Sequence, residues 1–363
     1  MLRITLSNAE KLASRFWVLN RKSNDSFKVS FLFKSLKKNR EVIFCVILSF
    51  VACLLFSMPL CAQQLPYFTQ FRQHQPLLNP ASINSDFFLY EYNVSLATSY
   101  RMQWISHPET PRTLQATGEF ISDFGGAFEL VTGISVLQDR TGPFGSSGVQ
   151  GRIGSIFTND PYFGGLSVGL SFGMVNHRVS SNRITWKDLG DPLAPDIDFS
   201  VNQPEVGLGV FYYRRMEGAL DGDNIYLGLS APQLLHGNSL VQVGEDFIPL
   251  RRVAHYYATA GWYHFFNQEA FLETSMWAKY TPGAPFNLDI YGRFQPARPV
   301  WFGAGFGING LAHLEAGFNV PGLLFEDANL KIGYGFDYNI SAFDLPLGAS
   351  HELHLTIMFD TYR

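Results

Sequence analysis

Nine histidines and a scatter of serines and carboxylates are the raw material of hydrolytic chemistry. The tightest constellation is Ser350-His351-Glu352, which holds the residue types of a nucleophile, a base and an orienting acid. It falls in a segment that alternates as a β-strand, where successive side chains point to opposite faces. The three groups therefore cannot converge on one reacting atom, and no enzymatic activity is expected. A second cluster, Asp188, Asp191, Asp196 and Asp198, offers oxygen ligands for Ca²⁺. Its spacing matches no EF-hand loop and two prolines interrupt it, so a solvated acidic loop is the expectation. All three cysteines, Cys45, Cys53 and Cys61, lie in the first 62 residues. The remainder can form neither a disulfide nor a thiolate metal site. No metal and no cofactor is expected.

The other charged groups fit structural work. Arg101 and Glu119 take inward positions on neighbouring strands, where pairing with each other would neutralise buried charge. Gln138-Asp139-Arg140-Thr141-Gly142-Pro143 has the chemistry of a turn. Gly303-Ala304-Gly305-Phe306-Gly307 alternates as a strand with no helix after it, so it is not a nucleotide loop.

Composition narrows what can position these residues. The 363-residue chain is 46% hydrophobic, 15% aromatic and 16% charged, against about 25% charged in ordinary domains. So little charge argues against disorder, a coiled coil or a nucleic-acid binder. Residues 42–60 carry no charge, follow Lys37, Lys38 and Arg40, and end near Ala62, the pattern of a secretory signal peptide. Residues 1–36 exceed what a signal needs, and no Met falls between Met1 and Met58, so an over-long start is expected for this leader of residues 1–62. The leader holds ten of the 27 Lys and Arg and three of the 31 Asp and Glu, which leaves Gln63–Arg363 at a net charge of −11. All 33 glycines fall in that remainder. A secreted, Cys-free, acidic chain rich in Gly and aromatics points to the bacterial outer membrane and to an all-β, transmembrane antiparallel β-barrel.

Strand alternation supports that reading. Leu330, Ile332, Tyr334, Phe336 and Tyr338 share one face, and Lys331, Gly333, Gly335, Asp337 and Asn339 share the other. Residues 300–308, 312–320, 271–280 and 350–359 alternate in the same way. In a soluble sandwich the polar face would meet water, where glycine weakens a strand. Glycine on an inward face suits a crowded lumen. About 14 strands are expected, with 12 as the other even count, since an even number closes without an edge. They fall near 89–100, 111–122, 126–138, 147–158, 163–178, 204–217, 223–232, 253–266, 269–281, 286–295, 299–308, 311–320, 328–340 and 350–359. The barrel thus occupies residues 89–363. Residues 179–203 and 233–252 read as long loops. Residues 63–88 lack alternation and read as an N-terminal segment that either plugs the lumen or lies on the periplasmic side. Tyr90, Tyr92, Tyr100, Tyr212, Tyr213, Tyr256, Tyr257, Trp262, Phe265 and Phe266 sit near strand ends, as aromatic girdles would.

The order of short motifs resembles the PorP/SprF family, outer-membrane proteins of the type IX secretion system and gliding motility machinery of Bacteroidetes. The resemblance begins at Pro66-Tyr67-Phe68-Thr69-Gln70 and Asn79-Pro80-Ala81. It continues through Tyr100-Arg101-Met102-Gln103-Trp104 and Gln138-Asp139-Arg140-Thr141-Gly142. Further matches are Pro204–Val210, Tyr226–Gln233, His255-Tyr256-Tyr257, Lys279-Tyr280 and Gly348-Ala349-Ser350-His351-Glu352-Leu353. Ser82-Ile83-Asn84 departs from the phrase usual after the Asn-Pro-Ala stretch. The resemblance implies a non-enzymatic accessory or anchor at the cell surface for protein secretion, supporting export or attachment of adhesin-like cargo with a type IX C-terminal domain. Implied partners are outer-membrane lipid, that cargo, and the periplasmic ring and lipoprotein components of the apparatus, with no nucleic acid. Asn79, Pro80, Tyr100, Arg101, Gln103, Trp104, Asp139, Gly142, His255, His351 and Glu352 are the family-motif residues, in structural or partner-binding roles. The alternative function is an outer-membrane pore or hydrophobic-solute channel.

Overall fold

The computed structural model describes residues 67–106, 109–122, 127–184, 198–217, 222–235, 237–243, 246–340 and 348–361. The expected signal peptide, and Asp188, Asp191 and Asp196, lie outside these residues.

Fourteen antiparallel strands form one closed barrel. In chain order they begin with β1 (Val94–Met102), β2 (Arg112–Ser122), β3 (Phe128–Thr141), β4 (Phe144–Asp160), β5 (Gly164–Val179), β6 (Phe199–Arg215) and β7 (Asn224–Gln233). A separate two-stranded sheet follows, β8 (Gly237–Val243) with β9 (Asp246–Arg252). The barrel resumes with β10 (His255–Phe265), β11 (Phe271–Tyr280), β12 (Asn287–Ala297), β13 (Val300–Gly307), β14 (Leu311–Pro321), β15 (Ala328–Asn339) and β16 (Ser350–Phe359). Each strand pairs with its neighbour, β7 pairs with β10 past the hairpin, and β1 pairs with β16 to close the ring. Closure leaves no edge of unpaired backbone groups, the condition for a sheet in hydrocarbon. Among the described residues no helix is long and apolar enough to cross a membrane, and the strands make the crossing.

Burial is inverted relative to a water-soluble protein. On β5 Leu166, Val168, Leu170, Phe172 and Met174 are exposed, while Ser167 and Ser171 between them are buried. The same alternation runs around the ring, so the exposed apolar belt meets lipid and the buried interior is largely polar. The expected girdle is only partly present. Tyr100, Tyr212, Tyr256 and Trp262 face outward, but Tyr213 and Tyr257 are buried inside. Tyr90 belongs to a helix before β1, and Tyr92 precedes that strand too. The alternation sets these faces: Tyr213 and Tyr257 stand at inward positions next to outward Tyr212 and Tyr256.

The longer connections, β1 to β2, β5 to β6, β7 to β10 and β15 to β16, all join strand ends at the same end of the barrel. Asn93 and Thr361, which flank the first and last barrel strands, meet at the other end, where Asn93 Nδ2 donates to Thr361 Oγ1 over 2.8 Å. Long loops mark the cell exterior and the shorter turns the periplasm. Segment 233–252, expected to be a loop, instead carries the β8–β9 hairpin. Pro249 inside β9 cannot donate to a ladder, which breaks the strand signature in the sequence. The other expected long loop is shortened, because β6 starts at Phe199.

Candidate functional site

The lumen is filled. Residues 67–93 run through it from the outer part to the periplasmic end as a 3₁₀ turn (Phe71–His74), a short helix α1 (Gln75–Leu78) and a second helix α2 (Ser85–Tyr90). At one extreme Tyr67 donates or accepts at 2.9 Å with His313 Nε2, near the outer start of β14, and lies under the Lys279 ammonium at the outer end of β11. At the other, the Phe87 ring packs on Tyr162 in a periplasmic turn, and Phe88 packs on Tyr213. Asn84 caps α2, its Oδ1 accepting from Asp86 N at 3.1 Å while its Nδ2 donates to Ser95 on β1. Asn84→Ala is expected to cost about 1–2 kcal/mol, since it removes both contacts. Chemical denaturation in detergent would read that loss.

Three charge clusters tie this segment to the wall. In the first, Arg101 on β1 pairs with Asp337 on β15 at 2.5 Å and with Glu352 on β16 at 3.4 Å. Thr69 joins all three: its Oγ1 accepts from Arg101 and donates to Asp337, and its N–H donates to Glu352. His74 also reaches Glu352, at 3.3 Å, and His313 reaches Asp337, at 2.6 Å. In the second cluster Arg72 pairs with Glu315 on β14 and, at 3.3 Å, with Glu273 on β11, which also pairs with Arg293 on β12. In the third, Arg152 on β4 pairs with Glu119 on β2 and donates to the carbonyls of Pro80 and Ser82, while Lys331 on β15 holds Asp86 at 2.7 Å. Every one of these side chains is nearly sealed from solvent. Unpaired charge there would carry a heavy desolvation penalty, so the pairs enforce one seat for residues 67–93.

Two wall glycines are required by close approach. A Cβ on Gly169 would stand 2.7 Å from Ala81 Cα and collide with the Pro80 carbonyl. A Cβ on Gly209 would stand 3.1 Å from Ala81 N and strike the Asn79 side chain. The backbone of residues 79–81 thus lies directly on β5 and β6, where a side chain would exclude it.

Several motif residues converge here. Arg101 and Glu352 face each other across the β1–β16 seam. Asn79 donates to the Val210 carbonyl over 3.1 Å and folds back to accept from Ala81 N. Pro80 supplies the carbonyl that Arg152 grips. His255 is buried on β10. The remaining motif residues lie elsewhere. Tyr100 faces lipid and His351 bonds Tyr334 Oη at 2.5 Å on the outer face. Asp139 accepts from Thr113 at 2.6 Å, and Gly142 takes a positive φ of 56° in the β3–β4 turn. Gln103 and Trp104 begin an exterior loop. Trp104 also has a positive φ, 56°, and its N–H donates to Ser350 Oγ.

The expected pairing of Arg101 with Glu119 is not formed. Both side chains point inward, but Arg101 takes Asp337 and Glu352 while Glu119 takes Arg152. Alternation fixes the face of a charge, whereas its partner follows from which strands meet across the lumen. Sequence reading also passed over Arg72, His74 and Asp86. The signal lay in the wall, whose inward carboxylates outnumber its inward cations and so require cations from elsewhere.

The Ser350-His351-Glu352 stretch does not converge on one point. Ser350 and Glu352 point inward and His351 outward, as alternation requires. Gly165–Gly169 and Gly169–Gly173 satisfy the G-x-S-x-G spacing of a hydrolase nucleophile. Both lie within β5, without the strand-to-helix turn of a nucleophile elbow. Among the described residues no His, Cys, Asp and Glu group is arranged to hold a metal ion. Asp198 is engaged by Arg178 at 3.1 Å and by Ser181 N at 2.9 Å. At the periplasmic end, burial pushes the Asp223 carboxyl upward. Hydrogen bonds from His264, Phe265 N and Trp262 outweigh it and hold the group below the usual carboxylate range.

Among solved structures, a FadL homologue from Pseudomonas aeruginosa gives a TM-score of 0.46 at 12% identity, over 78% of this chain and 92% of that one. The translocator domain of the autotransporter NalP from Neisseria meningitidis gives 0.43 at 12%, over 74% and 88%. The Ralstonia pickettii toluene transporter TbuX gives 0.43 at 13%, over 78% and 92%. Likenesses this remote say nothing of function. No curated protein matches the chain. The family model of the type IX secretion system membrane protein PorP/SprF matches residues 60–357, and this outer-membrane barrel belongs to that family.

Proposed function

We propose that the protein is an accessory and anchor of type IX secretion. It supports export or surface attachment of adhesin-like cargo carrying a type IX C-terminal domain, and engages periplasmic ring or lipoprotein components on its inner side. The observation that carries this reading is the filled lumen. A barrel whose interior is locked by buried ion pairs is a rigid platform, and its working surfaces are its two ends.

At the outer end Trp104 and Ile105 are 38% and 48% exposed on the loop that follows β1. Ile105 N donates to the Ala349 carbonyl over 3.1 Å, so the loop extends the β1–β16 seam. An apolar, backbone-braced tip of this kind suits docking of a partner strand or loop. The inward motif residues Asn79, Pro80, Arg101 and Glu352 hold the platform together, and Gln103 and Trp104 meet the partner.

Affinity purification of the full chain from its own outer membrane tests this. Cargo with a type IX C-terminal domain, or a secretion component, is expected to co-purify. The Trp104→Ser, Ile105→Ser double variant is expected to lose the cargo while reaching the membrane in normal amount. A native complex that retains neither class of partner would overturn the proposal.

A further inference from the structure

Strands β3, β4, β5 and β6 run to 14, 17, 16 and 17 residues, longer than any other strand of the barrel, and extend its wall at the outer end. On each strand of this side the outward face changes character toward the exterior. On β2, apolar Leu114 is followed by Arg112. On β3, Val136 gives way to Gln138 and Arg140. On β4, Val149 gives way to Ser147 and Gly145. On β5, Met174 gives way to Asn176 and Arg178. The register sets Arg112 directly opposite Arg140, Arg140 opposite Gly145, and Gly145 opposite Arg178. Three exposed arginines therefore share one outward row just beyond the apolar belt, with a glycine making space between two of them.

A cavity of about 480 Å³ opens at this row, lined among others by Gln138, Arg140, Ser147, Asn176, Arg178 and Arg183. Asp139 and Asp198 also border it, and Asp198 bridges Arg178, so the cleft is not purely cationic. Two features still point to an anion. Like charges directly opposite on adjacent strands repel, and Arg112 faces Arg140 in that way. The chain is also acidic outside its leader, and Arg72, Arg101, Arg152, Lys279, Arg293 and Lys331 are all buried within the lumen. Among the described residues the other exposed arginines are Arg183, which lines this cavity, and Arg214, Arg215 and Arg298 toward the periplasmic end, so the exposed cations of the outer end gather here.

We infer that the arginine row of β2, β3 and β5 binds the phosphate groups of the phosphorylated glycolipid in the outer leaflet. The height is right for a headgroup: acyl chains lie along Val136, Val149 and Met174, and the phosphates reach the row above them. Arg140 and Arg178 stand two strands apart, about 10 Å between backbones, a span that two extended guanidiniums close onto one phosphate. Arginine is suited to this because its fork donates two parallel hydrogen bonds to a phosphate. The lipid would thereby fasten the tall β3–β6 wall in the membrane independently of any secretion partner.

Native mass spectrometry of the purified full chain in detergent tests the assignment with three probes: bis-phosphorylated lipid A, the same lipid stripped of phosphate, and inorganic phosphate. The wild-type protein is expected to retain phosphorylated lipid A at least tenfold more strongly than the stripped lipid. The combined variant Arg112→Gln, Arg140→Gln, Arg178→Gln is expected to lose that preference. Arg140→Gln alone leaves the Arg178–Asp198 bridge intact, so it serves even where the triple variant folds poorly, and is expected to weaken binding about three- to tenfold. Equal retention of the two lipids by the wild-type chain would overturn the inference. So would unchanged binding by a folded Arg140→Gln barrel, or displacement of the lipid by millimolar inorganic phosphate, which would mark a site for a free anion.

Discussion

Replacing Arg101 by alanine is expected to destabilise the folded barrel by about 3–5 kcal/mol, read as a lowered midpoint of urea unfolding in detergent. Arg101 is 1% exposed and neutralises Asp337 and Glu352 together. Without it two buried carboxylates stand diagonally on adjacent strands, with His313, His74, Thr69 and the Gln70 N–H as their remaining hydrogen-bond partners. The charges cannot escape to water, so removing one partner leaves nearly its full desolvation penalty. A neutral replacement of the whole group should behave differently. Arg101→Met combined with Asp337→Asn and Glu352→Gln is expected to regain most of the loss, because no uncompensated charge is left inside. A cost below about 1 kcal/mol for Arg101→Ala would mean that the cluster is hydrated and loosely held.

Gly169→Leu is expected to unseat residues 79–84. The new side chain would occupy the space of the Pro80 and Ala81 backbone, which cannot move aside as a flexible side chain would. Arg152 would then lose its two backbone acceptors, the carbonyls of Pro80 and Ser82, and keep only Glu119. Overpacking of this kind costs about 1–3 kcal/mol or more. Amide hydrogen exchange at residues 79–84 should therefore accelerate on the order of ten- to a hundredfold. Gly292→Ala is the matched control, since a Cβ there meets nothing within 4 Å, and exchange at residues 79–84 should stay as in the wild type. Wild-type protection in the Gly169→Leu barrel would mean that the segment is not pressed against β5.

The wall was legible in the sequence because lipid outside and a polar interior impose a period of two. Leu330, Ile332 and Tyr334 against Lys331, Gly333 and Gly335 mark β15 without any tertiary information. All fourteen barrel strands follow from such runs. The β8–β9 hairpin was not legible, since Pro249 interrupts the only pattern that could announce it. The charge clusters were half legible. Arg101, Glu119 and Glu352 are correctly inward by parity, but parity does not say that Arg101 meets Asp337 or that Glu119 meets Arg152. Those partners follow from the strand order and from residues 67–93, whose short helices obey no period and whose contacts lie up to 283 residues away in the chain. Inward glycine suits a crowded lumen in general, but alternation does not reveal that Gly169 and Gly209 make room for the backbone of residues 80 and 81.

The buried ion pairs make the lumen a packed interior and not a passage. Planar-bilayer recording with the purified chain tests it most directly, alongside the same barrel lacking residues 63–92. The packed lumen requires the intact barrel to show no steady conductance and the truncated barrel to open a stable ion-conducting path. A lasting open channel formed by the intact chain would contradict the claim and favour a pore.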